Sequence, residues 1–271
     1  TPVLALNDLP EKLVIPAGLD GQINGISLSQ EQEVAVIAGH VAASSLNRAM
    51  VIAPESAWGE RMAFAFESAF LHEDREIIAA ARYLDSQNDH SVTLERLLKI
   101  DESEARKKRL ENTLQTTLEF EPVRRDDVDV IFLAATTAQA RLIRPQLRFH
   151  DAGDIPVYAT GRVLSGQPDP ARNQDLNGLR FPATPWQISH ASREDIPDLD
   201  SIRNGSLSSL HALGQDAWDI LPWLPLMRKD PDFSFPGQSG FYRSLRSDTL
   251  HRTPVWAEFR RGRPVPLAEG G

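Results

Sequence analysis

Apolar runs broken by turn residues open the chain: Thr1–Asn7 reads as a short strand ending at Asn7, Asp8 and Pro10, and Leu13–Leu19 as a second. Ser29, three residues ahead of Gln32, is a helix-start pattern, and Val34, Ile37, Ala38 and Val41 then recur at helical spacing, predicting a helix to about Asn47. Arg48–Ala53 reads as a buried strand, Pro54–Gly59 as a loop, and Met62, Phe66, Ala69 and Phe70 mark one face of the next helix. Glu76–Tyr83 fits a strand, although Ile77–Arg82 is also good helix material. Thr93–Ile100 and Ser103–Leu118 carry helix signals. Val128–Ala135 is the clearest buried strand, Ala138–Phe149 the helix after it, and Ile155–Thr160 a further strand. This alternation predicts right-handed crossovers and a parallel sheet covered on both faces.

The later chain is less regular. Gly161–Asn177 reads as a loop, Gly178–Pro182 as a brief strand, and Ser189–Gly205 is weakly patterned. Ser206–Met227 predicts a long helix bent or ended by Pro222 and Pro225. Gly237–Gly240 is a turn, Phe241–Leu245 a strand, and Val255–Phe259 the last strand, closing in a tight turn at Arg260–Gly262. No repeat of fixed period and no low-complexity tract interrupts this pattern.

Composition narrows the function classes. The 271 residues carry 29 Lys and Arg against 38 Asp and Glu, a net charge of −9, which argues against binding nucleic acid by neutralising phosphates. With no cysteine, disulfides, thiolate metal sites and thiol nucleophiles are excluded. No apolar run approaches the roughly 20 residues of a membrane-spanning helix. Glycine patterns for phosphate binding are absent, Gly237-Gln-Ser-Gly240 has the wrong spacing for a nucleophile elbow, and no serine has a lysine three residues on. A penicillin-binding transpeptidase is therefore excluded, no residue set has catalytic spacing, and no cofactor is expected. The seven histidines form no metal-binding pair; His72-Glu-Asp-Arg and Asp126-Asp-Val-Asp129 read more simply as a charged helix end and an acidic loop. Trp186, Trp218, Trp223 and Trp256 would suit a carbohydrate platform, but their apolar surroundings fit the core.

In open α/β sheets, ligands bind outside the carboxyl ends of the strands. The polar residues that follow the predicted strands are Asn7 and Asp8; Glu55, Ser56 and Trp58; Thr136 and Thr137; and Thr160, Gly161 and Arg162.

A more specific signal lies in Ala53–Glu60, Leu97–Leu110, Leu118–Arg125, Asp129–Ala135, Ala138–Arg148, Gly153–Thr160, Asp175–Phe181, Pro185-Trp186, Leu213–Trp218 and Trp256–Pro264. In order and spacing these segments resemble the C-terminal domain of the LppC-type lipoproteins, the penicillin-binding protein activators. The resemblance implies a periplasmic-binding-protein type I-like α/β fold of two Rossmann-like lobes with parallel sheets, residues 1–26 and 187–252 forming the first and 27–186 with 253–271 the second. It implies a non-enzymatic activator of a class A penicillin-binding protein, within a periplasmic parent protein lipid-anchored to the outer membrane. In such a fold further elements of the first lobe precede Thr1, so that lobe is expected to be incomplete here, exposing apolar surface.

Under this reading Asp216 joins the candidate cleft residues, and the charged 101–118 helix with its flank offers Arg106, Lys107, Arg109, Arg124 and Arg125 as partner contacts. A solute-binding module, closing on an amino acid, peptide or peptidoglycan fragment, is the alternative.

Overall fold

The computed structural model describes residues 3–6, 23–164, 169–190, 207–230, 232–244 and 250–267. Its main sheet has seven strands in the order β12-β11-β7-β6-β5-β3-β4. They are β3 (Arg48–Pro54), β4 (Glu76–Tyr83), β5 (Val130–Leu133), β6 (Val157–Ala159), β7 (Leu179–Ala183), β11 (Val255–Arg260) and β12 (Arg263–Pro266). Strands β3 to β7 pair in parallel, while β11 runs antiparallel to both β7 and β12. Alternation along β3 sends side chains to two separate cores. Ala49, Val51 and Ala53 pack with Val130, Phe132 and Tyr158 under helices α1 (Gln30–Ala43) and α2 (Ala57–Phe70). Met50 and Ile52 pack with Ile131, Leu133 and Phe181 under α3 (Ser91–Leu97) and α5 (Thr137–Phe149). Continuous apolar strands are what a sheet covered on both faces requires.

Helix α4 (Ile100–Leu114) departs from this scheme, since Ser103 is its one buried residue. A third core gathers Ile26, Leu213, Ile220, Leu224, Met227, Tyr242 and Leu250. It is bounded by the parallel pair β1 (Val3–Ala5) and β2 (Ile23–Gly25), by α7 (Ser208–Asp219) and α8 (Leu224–Lys229), and by the antiparallel ribbon β8 (Phe235–Pro236), β9 (Phe241–Ser244) and β10 (Leu250–Thr253). A short helix, α6 (Pro185–His190), follows β7.

Several boundaries differ from the sequence pattern. Helix α1 stops at Ala43 because Ser45 takes a left-handed φ of 58°. Residues Ala57–Gly59 belong to α2 rather than to a loop, because Ser56 caps the helix by accepting the Gly59 N–H at 3.1 Å. Gly59 has no substitute there, as a Cβ would lie 2.0 Å from the Pro54 carbonyl. Segment 76–83 is a strand, the ladder to β3 deciding between two locally acceptable conformations. Lys99, at φ 59°, separates α3 from α4, so α4 starts at Ile100 and Ser103 lies inside it, its Oγ accepting the Val123 N–H at 3.2 Å.

Within the expected 161–177 loop, Gly161–Leu164 and Arg172–Leu176 form 3-10 turns. The expected 206–227 helix ends at Asp219, and a 3-10 turn at Leu221–Trp223 leads into α8. Strand β11 is not the last, since Arg261 and Gly262, both at positive φ, turn the chain back into β12. The strand expected at 13–19 and the segment 191–205 lie outside the described residues.

Candidate functional site

A cavity of about 580 Å³ opens at the carboxyl ends of the parallel strands. The chain passes from β3 outward to β4 and then returns to the other side of β3 as β5. This reversal leaves a crevice flanked by the β3–α2 and β5–α5 loops, the place where open α/β sheets bind ligands. Four expected residues line the cavity: Trp58, Thr136, Gly161 and Arg162. The Arg162 guanidinium stacks 4.4 Å from the Trp58 ring, whose Nε1–H donates to Gln30 Oε1 at 2.7 Å. Among the described residues Arg162 has no carboxylate partner, so its charge faces the cavity and solvent.

Glu33, at the start of α1, closes one wall. Its Oε1 accepts the Gly161 N–H at 2.8 Å, linking α1 to the loop after β6. Burial pushes the Glu33 carboxyl up from its ordinary value, opposed by that N–H and by the field of Arg252. The approach requires glycine at 161, because a Cβ would sit 2.9 Å from the Pro182 carbonyl and 3.0 Å from Glu33 Oε2. Sequence reasoning missed Glu33, Arg61, Gln187 and Arg252, all of which line the cavity. None directly follows a parallel strand. Glu33 sits in the first turn of α1, Arg61 in the second turn of α2, and Arg252 on β10, a position set by tertiary packing.

The remaining cleft candidates lie elsewhere or serve the backbone, as Thr136 does in addition to lining the cavity. Ser56 and Thr136 cap α2 and α5, Thr136 accepting the Gln139 N–H at 3.4 Å. Thr137 Oγ1 donates to the Val163 carbonyl at 2.9 Å, fastening the turn that carries Arg162. Thr160 is buried, and Glu55 is exposed outside the cavity. Asp216 is a structural residue: buried to 1% exposure, it accepts from the Gln238 and Ser239 N–H groups at 2.5 and 2.7 Å and from Ser239 Oγ at 2.5 Å. Asn7 and Asp8 lie outside the described residues.

The five candidate contacts also separate. Arg106 and Arg109 are exposed on α4, and Lys107, half-buried there, lies 3.8 Å from Glu111. Arg124 and Arg125 are used internally. Arg124 pairs with Asp154 at 2.8 Å and donates to the Asp151 carbonyl at 2.6 Å, while Arg125 pairs with Asp127 at 2.5 Å. The acidic loop is likewise neutralised from within, Asp129 holding the Arg48 guanidinium at 2.9 Å. Among the described residues no cluster of three potential metal ligands occurs.

Trp223, 44% exposed, departs from the expected core position although it stacks on Phe233, whereas Trp186 packs edge-on to His211 and Trp256 against His40. Trp218 departs further. It is 77% exposed, because it falls on the side of α7 opposite Ala212, Leu213 and Asp216, and it borders a shallow hollow with Gly214 and Gln238.

The fold is that of a periplasmic-binding-protein type I-like protein. A periplasmic binding protein type 1 from Bordetella pertussis Tohama I aligns over 91% of this chain and 68% of that one, at 14% identity and a TM-score of 0.53. The C-domain of LpoA (YraM) from Haemophilus influenzae, a regulator of PBP1A, aligns over 98% of this chain and 74% of that one, at 18% identity and a TM-score of 0.66. The chain belongs to the LppC family, whose model, "LppC putative lipoprotein", matches residues 1–262. The penicillin-binding protein activator LpoA of Vibrio antiquarius is 29% identical over 262 residues, 95% of this chain and 42% of that protein. The chain thus spans less than half the length of the curated relatives it matches.

Proposed function

We propose that this chain is the synthase-facing part of a non-enzymatic activator that binds a class A penicillin-binding protein and stimulates peptidoglycan cross-linking. The observation that carries the reading is membership of the LppC family across residues 1–262, together with relatives named penicillin-binding protein activators. Activation requires the chain to bind one state of the synthase more tightly than another. The three cores are consistent with a division into two lobes, 1–26 with 187–252 and 27–186 with 253–271, the cavity lying between them. The parent protein is proposed to be periplasmic and lipid-anchored to the outer membrane.

The test is an interferometry titration of the chain against the periplasmic part of a class A penicillin-binding protein, followed by a cross-linking assay. Saturable binding with raised cross-linking is expected; hydrolysis of peptidoglycan by the chain alone would overturn the non-enzymatic reading. The second reading, a solute receptor, rests on Arg162 over Trp58 in the cavity, which suits an anionic ligand such as the carboxylate of a peptide. It replaces the first if the synthase fails to bind while a peptidoglycan peptide raises the melting temperature.

A further inference from the structure

Helix α4 and the segment that returns beside it form an arm on the main sheet's α3 side. A 15-residue helix of this polar composition is marginal alone. It is held from outside the helix: Ser103 Oγ accepts the Val123 N–H, Glu111 Oε1 accepts the Leu118 N–H at 3.0 Å, and Lys107 lies 5.7 Å from the Phe120 ring. The base of the return is clamped by Arg124 on Asp154 and by the Arg125 N–H donating to the Leu98 carbonyl at 2.9 Å. Residues 103, 107 and 111 therefore face the return segment. The adjoining stripe, Arg106, Leu110 and Leu114 at four-residue spacing, is exposed among the described residues, Leu110 at 49% and Leu114 at 58%. Val123, on the return, is 67% exposed.

From this geometry we infer that the α4 stripe is the surface on which the penicillin-binding protein docks, meeting a partner patch of carboxylates around an apolar centre; the inference rests on the activator reading above. Charge complementarity specifies that partner. Arg106 and Arg109 have no carboxylate within ion-pair distance among the described residues, so two cations flank the exposed leucines on a chain of net charge −9. The arm as a whole is neutral, with six acidic and six basic residues over 101–125, so an acidic partner patch is favoured at the Arg106–Arg109 run beside the leucines and not along the rest of the arm. Because the arm is fastened along its other face, docking orders little new structure. An anionic bilayer fits less well, since Glu104, Glu111, Glu119 and Glu121 share the arm with the arginines.

The test uses Leu110→Ser with Leu114→Ser, and separately Arg106→Glu with Arg109→Glu, titrated against the periplasmic part of a class A penicillin-binding protein. All four side chains are exposed, so unchanged melting temperatures are expected. Each double variant is expected to weaken binding about tenfold or more, with a parallel loss of stimulated cross-linking and, in the arginine variant, a flatter salt dependence. Phe149→Ser, 83% exposed elsewhere on the same lobe, is the control and should bind as wild type. Wild-type binding with both double variants unaffected overturns the docking face alone, whereas no wild-type binding overturns the activator reading with it. Loss of binding to phosphatidylglycerol vesicles in the arginine variant, without loss of synthase binding, would assign the stripe to a membrane surface instead.

Discussion

Asp216 gives the sharpest test of how the third core is built. Its carboxylate, carried on α7, accepts three hydrogen bonds from the Gly237–Gly240 turn, and Ser239 Oγ in turn lies 2.5 Å from the Tyr242 hydroxyl. Substitution Asp216→Ala removes a charged acceptor and strands two backbone donors, both hydroxyls losing their anchor. Hydrogen bonds to a charged group contribute about 1.5–3 kcal/mol each, and an unmade buried partner costs about 1–3 kcal/mol. Because these terms overlap, a net loss of about 3–5 kcal/mol is expected. Asp216→Asn, which keeps the shape and one acceptor oxygen, should cost about half as much. Three separate cores make one global transition unsafe to assume. The assay is therefore urea unfolding followed by hydrogen exchange of the α7 and β9 amides, with far-ultraviolet dichroism reporting the main sheet. A loss below about 1 kcal/mol for Asp216→Ala would refute the structural role, and a gain would return Asp216 to the ligand-site residues, whose polar groups are commonly kept at a cost in stability.

Two further carboxylates, one on α1 and one just before β5, link stability to pH. Glu33 has its proton affinity raised by burial, so the folded state binds more protons than the unfolded chain just above the ordinary carboxyl range, and stability falls as pH rises through that window. Glu33→Gln should remove this slope and melt higher than wild type at pH 7 to 8, as read by calorimetry at a series of pH values; an unchanged slope would show that another group titrates. Asp129 shifts the other way. Its hydrogen bonds from the Arg48 side chain and from the Arg48 and Asn47 N–H groups hold its carboxyl below the usual range, so its contribution is present above about pH 4 and is lost as pH falls through the depressed value. Asp129→Asn is expected to cost about 1–2 kcal/mol at pH 7, since Arg48 is nearly half exposed, with the difference from wild type vanishing in acid.

The cavity residues divide by the kind of information that places them. Trp58, Thr136, Gly161 and Arg162 were readable because each follows a strand whose apolar run is unmistakable, and the carboxyl end of a parallel strand is a fixed direction in this architecture. Glu33 and Arg252 were not readable. One is an ordinary acidic residue in a first helical turn, and the other reaches the cavity only because the third core carries β10 to its edge. The α4 arm shows the same division: its basic run stands in the sequence, but that Arg124 and Arg125 are spent on Asp154 and Asp127 depends on contacts no local pattern records.

By itself, then, the chain's order of apolar runs determined the alternation of strands and helices and the parallel sheet, because periodicity and buried-strand composition are local consequences of which faces must leave water, while the family stood in the particular residues of the segments that resemble it. Tertiary structure alone decided whether 76–83 became strand or helix, where α4 began, which charges were paired and which stayed open. Those choices turn on partners distant in sequence: a ladder to β3, a hydroxyl meeting Val123, a carboxylate meeting the 237–240 turn. Their free energy exists only once the chain has folded around them.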